Sequence, residues 1–402
     1  MADDRTEVDV VVALPGGRRD WATRLSRWSM SAGVAIEFLR CLSADEVRAV
    51  LGAGRPVALL LVDPASADRD LIDLAAGLGT PSALVDDGGA APDWTDLGCV
   101  ARLDERLGAE ELPDLLRDLR QAATARPRAR AVDLDGPADP GPIVTVVGAG
   151  GCGVTTTAML LADGLGSLTT DPDAAADPDA TGGHTLLVDA SDTGGLALYH
   201  DLVRVPGDLS QLVELHRRDR VDPDEVRALT TSVPTRRYRM LPAGTDEAPA
   251  RPPSASLAAL DSLRRAFAAV VVYAGAVPAG GERAPVDPFV DAAIRTADLT
   301  VVVGRCDLHG LHQLAVATDR VRRVQPDDRV LVVCTARRRG VDDHRSTAAA
   351  VDLPAERVRL RPVVGRLERI HRDVAPLPRR VAGGLVDELA RAGVHPRSAV
   401  DR

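Results

Sequence analysis

The stretch IVTVVGAGGCGVTTTAMLLADGL, Ile143 to Leu165, decides the fold of this chain. A run of β-branched residues from Ile143 to Val147 leads into a glycine-rich turn, and a threonine-led apolar pattern follows. That is the grammar of a phosphate-binding strand, loop and helix, in which glycines let backbone amides close on an anion at a helix N-terminus. Two loop codes fit. Read as G-x-G-x-x-G, with Gly148, Gly150 and Gly153, the turn is a dinucleotide fingerprint. Read as a Walker A loop, it runs through Gly148, Gly150, Gly151, Cys152 and Gly153 into Val154, Thr155 and Thr156, with Val154 where the lysine belongs.

A dinucleotide fold wants an acidic residue about 20 residues beyond the glycines, at the end of the second strand. Asp189, closing the strand pattern TLLVDAS, lies 36 residues beyond Gly153. The small-residue acidic segment 167–184 reads as a surface loop that absorbs the excess, so spacing alone does not decide. The residues after the last glycine do. A dinucleotide helix opens with small apolar residues that pack on the sheet, whereas Thr155, Thr156 and Thr157 set hydroxyls where a phosphate-bound Mg²⁺ would meet them. The P-loop reading is favoured, with Thr155 the candidate metal ligand. Plain helix N-capping remains the competing reading of Thr155 and Thr156, and a structural strand-end role that of Asp189.

At 402 residues the chain is too long for one ordinary core, and its 45% hydrophobic residues can fill two. Aromatics are only 2%, so those cores are built from Val, Leu and Ala. All 49 basic residues are arginine, and asparagine is absent as well, which fits a GC-rich coding bias and weakens any reading of one missing lysine as deliberate. A net charge of −10 argues against a protein that coats nucleic acid with its whole surface. From Val301 to Arg402, however, 20 arginines face 13 acidic residues. Cys41, Cys99, Cys152, Cys306 and Cys334 lack C-x-x-C spacing and suggest neither a zinc site nor a disulfide framework. With no signal peptide before Val8, and no apolar run near the roughly 20 residues of a membrane helix, the expectation is a soluble, cytoplasmic protein.

Residues 7–122 alternate short strands and helices in about five β/α units, a small doubly wound domain. Residues 123–141, rich in Pro, Arg and Asp, read as a linker. Residues 142–395 form a second α/β domain whose buried strands include AAVVVYAG, LTVVVGRC and RVLVVCTA.

GAGGCGVTTTAMLLADGL resembles the deviant Walker A loop of the MinD/ParA family, in which Ala149 takes the place of the signature lysine and Val154 that of the Walker lysine. LLVDASDTGGLALYHDL is similar to the next family motif: Asp189 matches its first acid, and Ser191 stands at the second. AFAAVVVYAG resembles the Walker B strand with Tyr273 replacing its aspartate. The resemblance covers roughly 140–392. It implies a P-loop NTPase domain with a parallel sheet covered by helices on both faces, candidate nucleotide contacts from Gly148 through Thr156 and Asp189, and dimerisation through the P-loop face. The N-terminal alternation resembles a response-regulator receiver, with Asp63 near the phosphoacceptor position but without the acidic pair or the later lysine, hence a CheY-like pseudo-receiver. This pairing resembles the CpaE/TadZ-like proteins and the septum site-determining (Ssd) proteins of actinobacteria. It implies positioning for cell division or for a Tad pilus/type II secretion-like apparatus, with recruitment to pole or septum and partners from that machinery.

Hydrolysis needs a cation for the developing phosphoryl charge, a held Mg²⁺ and a carboxylate, and losing one charge clamp costs on the order of 10³-fold in rate. Val154, Ala149 and Tyr273 supply none of these, so a pseudo-ATPase or very slow ATPase is expected, with ATP and Mg²⁺ possible as weak or structural ligands and no catalytic residue assigned. An active ATPase with relocated groups and a dinucleotide-dependent oxidoreductase are the alternatives. Basic segments 335–340 and 357–372 are candidates for DNA, for a protein partner or for simple solvation. The last helix, with Val381, Leu385, Val386 and Leu389 at helical spacing, reads as core packing ahead of a peripheral membrane anchor.

Overall fold

Continuous apolar strands joined by helices can satisfy their backbones only in parallel sheets covered on both faces. The computed structural model has that architecture; it describes residues 9–16, 20–31, 35–86, 97–106, 108, 111–125, 140–169, 184–202, 205–233, 236–244, 251–276, 286–336, 341–354, 357–362 and 379–397. The chain divides into two compact units, Met1–Gly136 with Leu215–Arg220, and Pro137–Glu214 with Val221–Arg402. Segments 126–139, 170–183, 337–340 and 363–378 lie outside the described residues, and with them most of the expected linker, the acidic insertion and much of both basic segments.

The first unit contains β1 (Asp9–Leu14), α1 (Trp21–Ser31), β2 (Ile36–Arg40), α2 (Ala44–Gly52), β3 (Leu59–Val62), α3 (Arg69–Gly77), β4 (Ser82–Asp86), β5 (Ala101–Asp104) and α4 (Leu112–Ala125). Its strands lie in the order β2-β1-β3-β4-β5, all parallel, one of the common doubly wound arrangements. Ser43 caps α2 by accepting from the Glu46 N–H. Asp63, buried just beyond β3, accepts from the Ala65 N–H at 3.0 Å and so turns the chain, while α3 is capped by Asp68.

The second unit runs β6 (Ile143–Gly148), α5 (Val154–Thr169), β7 (Thr185–Asp189), α6 (Gly195–Tyr199), α7 (Leu209–Arg218), α8 (Pro223–Ala228), β8 (Thr231–Ser232), β9 (Arg239–Leu241), α9 (Pro253–Ala266), β10 (Ala269–Ala276), α10 (Pro288–Thr296), β11 (Leu299–Arg305), α11 (Leu308–Arg322), β12 (Val330–Ala336), α12 (Val341–Val351), β13 (Val358–Pro362) and α13 (Arg379–Arg391). The strand order is β13-β12-β11-β6-β10-β7-β9-β8, and only the β8–β9 pairing is antiparallel. Val144 and Val146 of β6 pack with α5 and α13 on one face of this sheet, while Ile143 and Val147 pack with α9, α10 and α11 on the other. This is the α/β, strand–P-loop–helix architecture expected from the sequence.

Leu385, Val386 and Leu389 are buried in the α5 layer, where the absence of a side chain at Gly164 admits Val386. The apolar stripe of α13 is therefore core, and the side chain of Val381 lies outside the described residues. No described helix is long and apolar enough to cross a membrane. One expectation is corrected. Cys306 and Cys334, 28 positions apart in sequence, are brought side by side with Cα atoms 5.9 Å apart, a separation a disulfide can span. Parallel register places Gly304 opposite Cys334, which brings the chain just beyond β11 over the neighbouring strand. No local spacing records such a pairing.

Leu187 sits fully buried between β10 and β9. Leu187→Ala is expected to lower the stability of the second unit by about 3 kcal/mol in denaturant unfolding. Leu198→Ala, at a 78% exposed position, should change it by no more than about 0.5 kcal/mol.

Candidate functional site

The loop is built on a close approach. β6 lies between β11 and β10, and at its end Gly148 passes so near the Val303 carbonyl of β11 that any Cβ would collide with it. Gly151 (φ +73) and Gly153 (φ +95) then turn the chain through left-handed conformations that favour glycine. Above Gly150 there is open space. α5 starts at Val154, and the amides of its first turn have no intrahelical acceptor, so the loop presents N–H groups to whatever lies over it.

The side chains beneath that backbone are apolar. Val154 is buried with Val146 and Val303, and Ala149 is buried in the same cluster. Both positions expected to lack a lysine are thus used to pack the loop onto the sheet. Cys152 points inward too, its thiol donating toward the Val303 carbonyl at 3.0 Å. Thr335, which the sequence reading did not single out, supports the loop from β12: its hydroxyl lies 3.0 Å from the Gly304 carbonyl and 3.2 Å from that of Cys152.

The threonines separate into three roles. Thr157 donates to the Gly153 carbonyl at 2.9 Å, and Thr156 is buried. Thr155 donates to the Tyr273 phenol oxygen at 3.1 Å across 118 residues of sequence. The Thr155 hydroxyl is thus engaged across the sheet and not in an N-capping bond in this contact. Tyr273 occupies β10 opposite Val146 of β6 and Asp189 of β7, just before an irregularity at Gly275, which has φ +70. Burial pushes the Tyr273 phenol up, opposed by the Thr155 hydrogen bond and reinforced by the Asp189 carboxylate, so the phenol stays neutral.

Asp189 is fully buried and its oxygens are engaged. Oδ1 accepts from the Ser191 N–H at 3.0 Å and the Ser191 hydroxyl at 2.6 Å, and Oδ2 accepts from the Leu196 N–H at 3.0 Å. Burial raises its pKa, against the pull of these donors and of the Arg251 cation. Arg251 itself pairs with Asp287 at 3.1 Å and donates to the Ala243 carbonyl at 2.9 Å. Asp189 therefore pins the turn between β7 and α6, and Ser191, standing where a second acid was sought, is its partner in that turn.

These residues fit a phosphate and not a Mg²⁺ ion. The metal wants several oxygen ligands in near-octahedral array, usually with a carboxylate among them. The Thr155 hydroxyl faces a neutral phenol, the Asp189 carboxylate is spent on its own turn, and no cluster of three ligating side chains occurs among the described residues. The dinucleotide code fails on topology. There the strand after the loop neighbours the loop strand, whereas β10 separates β7 from β6 here. Of the basic segments, Arg359 is described in an ion pair with Glu388 of α13 at 2.6 Å.

No family model matches this chain, and no curated protein does. Solved structures do resemble it. A ParA family ATPase from Chlorobium tepidum TLS is 15% identical with a TM-score of 0.46, over 61% of this chain and 98% of that one. The cell division ATPase MinD of Pyrococcus furiosus is 17% identical with a TM-score of 0.46, over 62% and 99%. A Cyanothece McdA–ATP complex is 15% identical with a TM-score of 0.42, over 63% and 98%.

The raised Asp189 carboxyl has a stability consequence with a definite sign. Its unfolded form ionises near 3.8 and its folded form above that, so its contribution is greatest below 3.8 and is lost as pH rises through the folded value. In denaturant titrations, wild type should lose stability relative to Asp189→Asn as pH climbs across that window, a trend a surface carboxylate would not give.

Proposed function

We propose that this chain is a MinD/ParA-type spatial regulator that works as a non-catalytic or very weakly catalytic P-loop protein. The hydroxyl pair Thr155–Tyr273 carries the reading, because it stands where phosphoryl transfer needs a metal ion and a carboxylate. The glycine turns and first-turn amides still suit a nucleotide's phosphates, which favours nucleotide as a structural or signalling ligand bound without Mg²⁺. The motif order along the second unit and the 2-1-3-4-5 sheet of the first support the CpaE/TadZ- and Ssd-like pairing of a pseudo-receiver with a degenerate P-loop domain. On that likeness the role is septum-site determination or placement of a Tad pilus/type II secretion-like apparatus. The chain would act as a homodimer through its P-loop face, with proteins of that machinery as partners.

An active ATPase with relocated groups needs a cation able to reach the transferred phosphoryl group. Arg251, which acts electrostatically on Asp189, is held by Asp287 and the Ala243 carbonyl, so nothing specific favours that alternative.

ATP binding by calorimetry, with and without Mg²⁺, tests the reading. The affinity of wild type is expected to change by less than about twofold on adding Mg²⁺, while Tyr273→Asp, which returns a carboxylate beside Thr155, should gain at least about tenfold. A strong Mg²⁺ dependence in wild type, or turnover of several ATP per minute abolished by Thr155→Ala, would overturn it.

A further inference from the structure

We propose that Cys306 and Cys334 form a reversible disulfide that stiffens the phosphate-binding loop. The pair lies within the range a disulfide spans, with Cα atoms 5.9 Å apart. Its two members differ in access. Cys334 is fully buried in β12, as are Cys41, Cys99 and Cys152 in their own surroundings, whereas Cys306 is half-buried just after β11. Its sulfur is 3.7 Å from the Thr347 hydroxyl of α12. Cys306 is thus the described cysteine that a small disulfide in solution can meet.

The chemistry is thiol–disulfide exchange with a low-molecular-weight disulfide such as oxidised glutathione. The Cys306 sulfur attacks one sulfur of the small disulfide, forming a mixed disulfide and releasing one small thiol. The Cys334 sulfur then attacks Cys306, displacing the second. Two cysteine thiols are oxidised, one small disulfide is reduced, and the two protein protons leave on the two small thiols. An excess of the small thiol reverses both steps.

The bond bears on the loop through the residue beside it. The Cys306 N–H donates to the Thr335 carbonyl at 3.2 Å, and the Thr335 hydroxyl lies 3.2 Å from the Cys152 carbonyl in the glycine turn. Closing the disulfide ties the chain after β11 to β12 on either side of this contact, so Thr335 is held under Cys152. Opening it leaves Thr335 positioned by strand pairing and by its hydroxyl contacts to the Gly304 and Cys152 carbonyls, without the covalent tie.

The test counts thiols in the full-length wild-type chain and needs no nucleotide, so its failure is distinct from failure of the regulator reading. Samples equilibrated in glutathione buffers of graded ratio are acid-quenched, unfolded and alkylated. Three alkylated cysteines, Cys41, Cys99 and Cys152, with a linked 306–334 peptide are expected under oxidation, and all five are expected under reduction. Five alkylated cysteines at every ratio, or a lasting glutathione adduct on Cys306 without the link, overturn the disulfide. Hydrogen exchange at residues 149–153 should slow at least about threefold on oxidation. Exchange indifferent to oxidation, or still sensitive to it in Cys306→Ser, overturns the coupling to the loop.

Discussion

The second unit hangs on a contact between two backbones. Gly148 and the Val303 carbonyl stand closer than any side chain would allow, which lets β6 end flush against β11 and start its turn without spreading the sheet. From that contact follow the left-handed glycines, the inward Cys152 and the burial of Val154 at the head of α5. A larger residue at 148 would push β6 away from β11 and unseat each of these together. The shape of the glycine turn is thus set by tight strand packing and does not depend on charges around it.

The side chains around the turn follow the same packing logic. In a hydrolytic loop the lysine and the acids are held out of the core by their charge, and the sheet must leave them room. Here the same positions are filled by valine, alanine, tyrosine and serine, and each finds a partner within the protein. Val154 and Ala149 enter the apolar layer, Tyr273 takes up the Thr155 hydroxyl, and Ser191 binds Asp189. The substitutions are mutually consistent: once the cation is absent, a buried carboxylate at 273 would stand uncompensated, and a neutral phenol removes that cost.

Much of this was legible in the sequence because strand–loop–helix grammar is local. The β-branched run at 143–147, the glycines and the threonines fix β6, the turn and α5, and Ser43 announced its helix. The replacements at 149, 154, 191 and 273 could be read against a motif. What they do instead could not, because it depends on strand neighbours distant in sequence. The Thr155–Tyr273 bond spans 118 residues, and the Thr335 contact to Cys152 spans 183. The cysteine pairing was missed for the same reason, since the two residues meet only where the chain just beyond β11 passes its neighbour β12.

The margins of the larger sheet carry one more consequence. Among the described residues one edge is β8, an antiparallel strand of two residues, and the other is β13, whose VRLRP sequence alternates arginine with apolar residues and closes on a proline that has no N–H to donate. Short length, positive charge and proline are the features that keep an exposed edge from recruiting another chain's strand. Growth of this sheet by lateral addition is therefore discouraged on both sides, which guards an unusually valine-rich sheet against fibrous stacking.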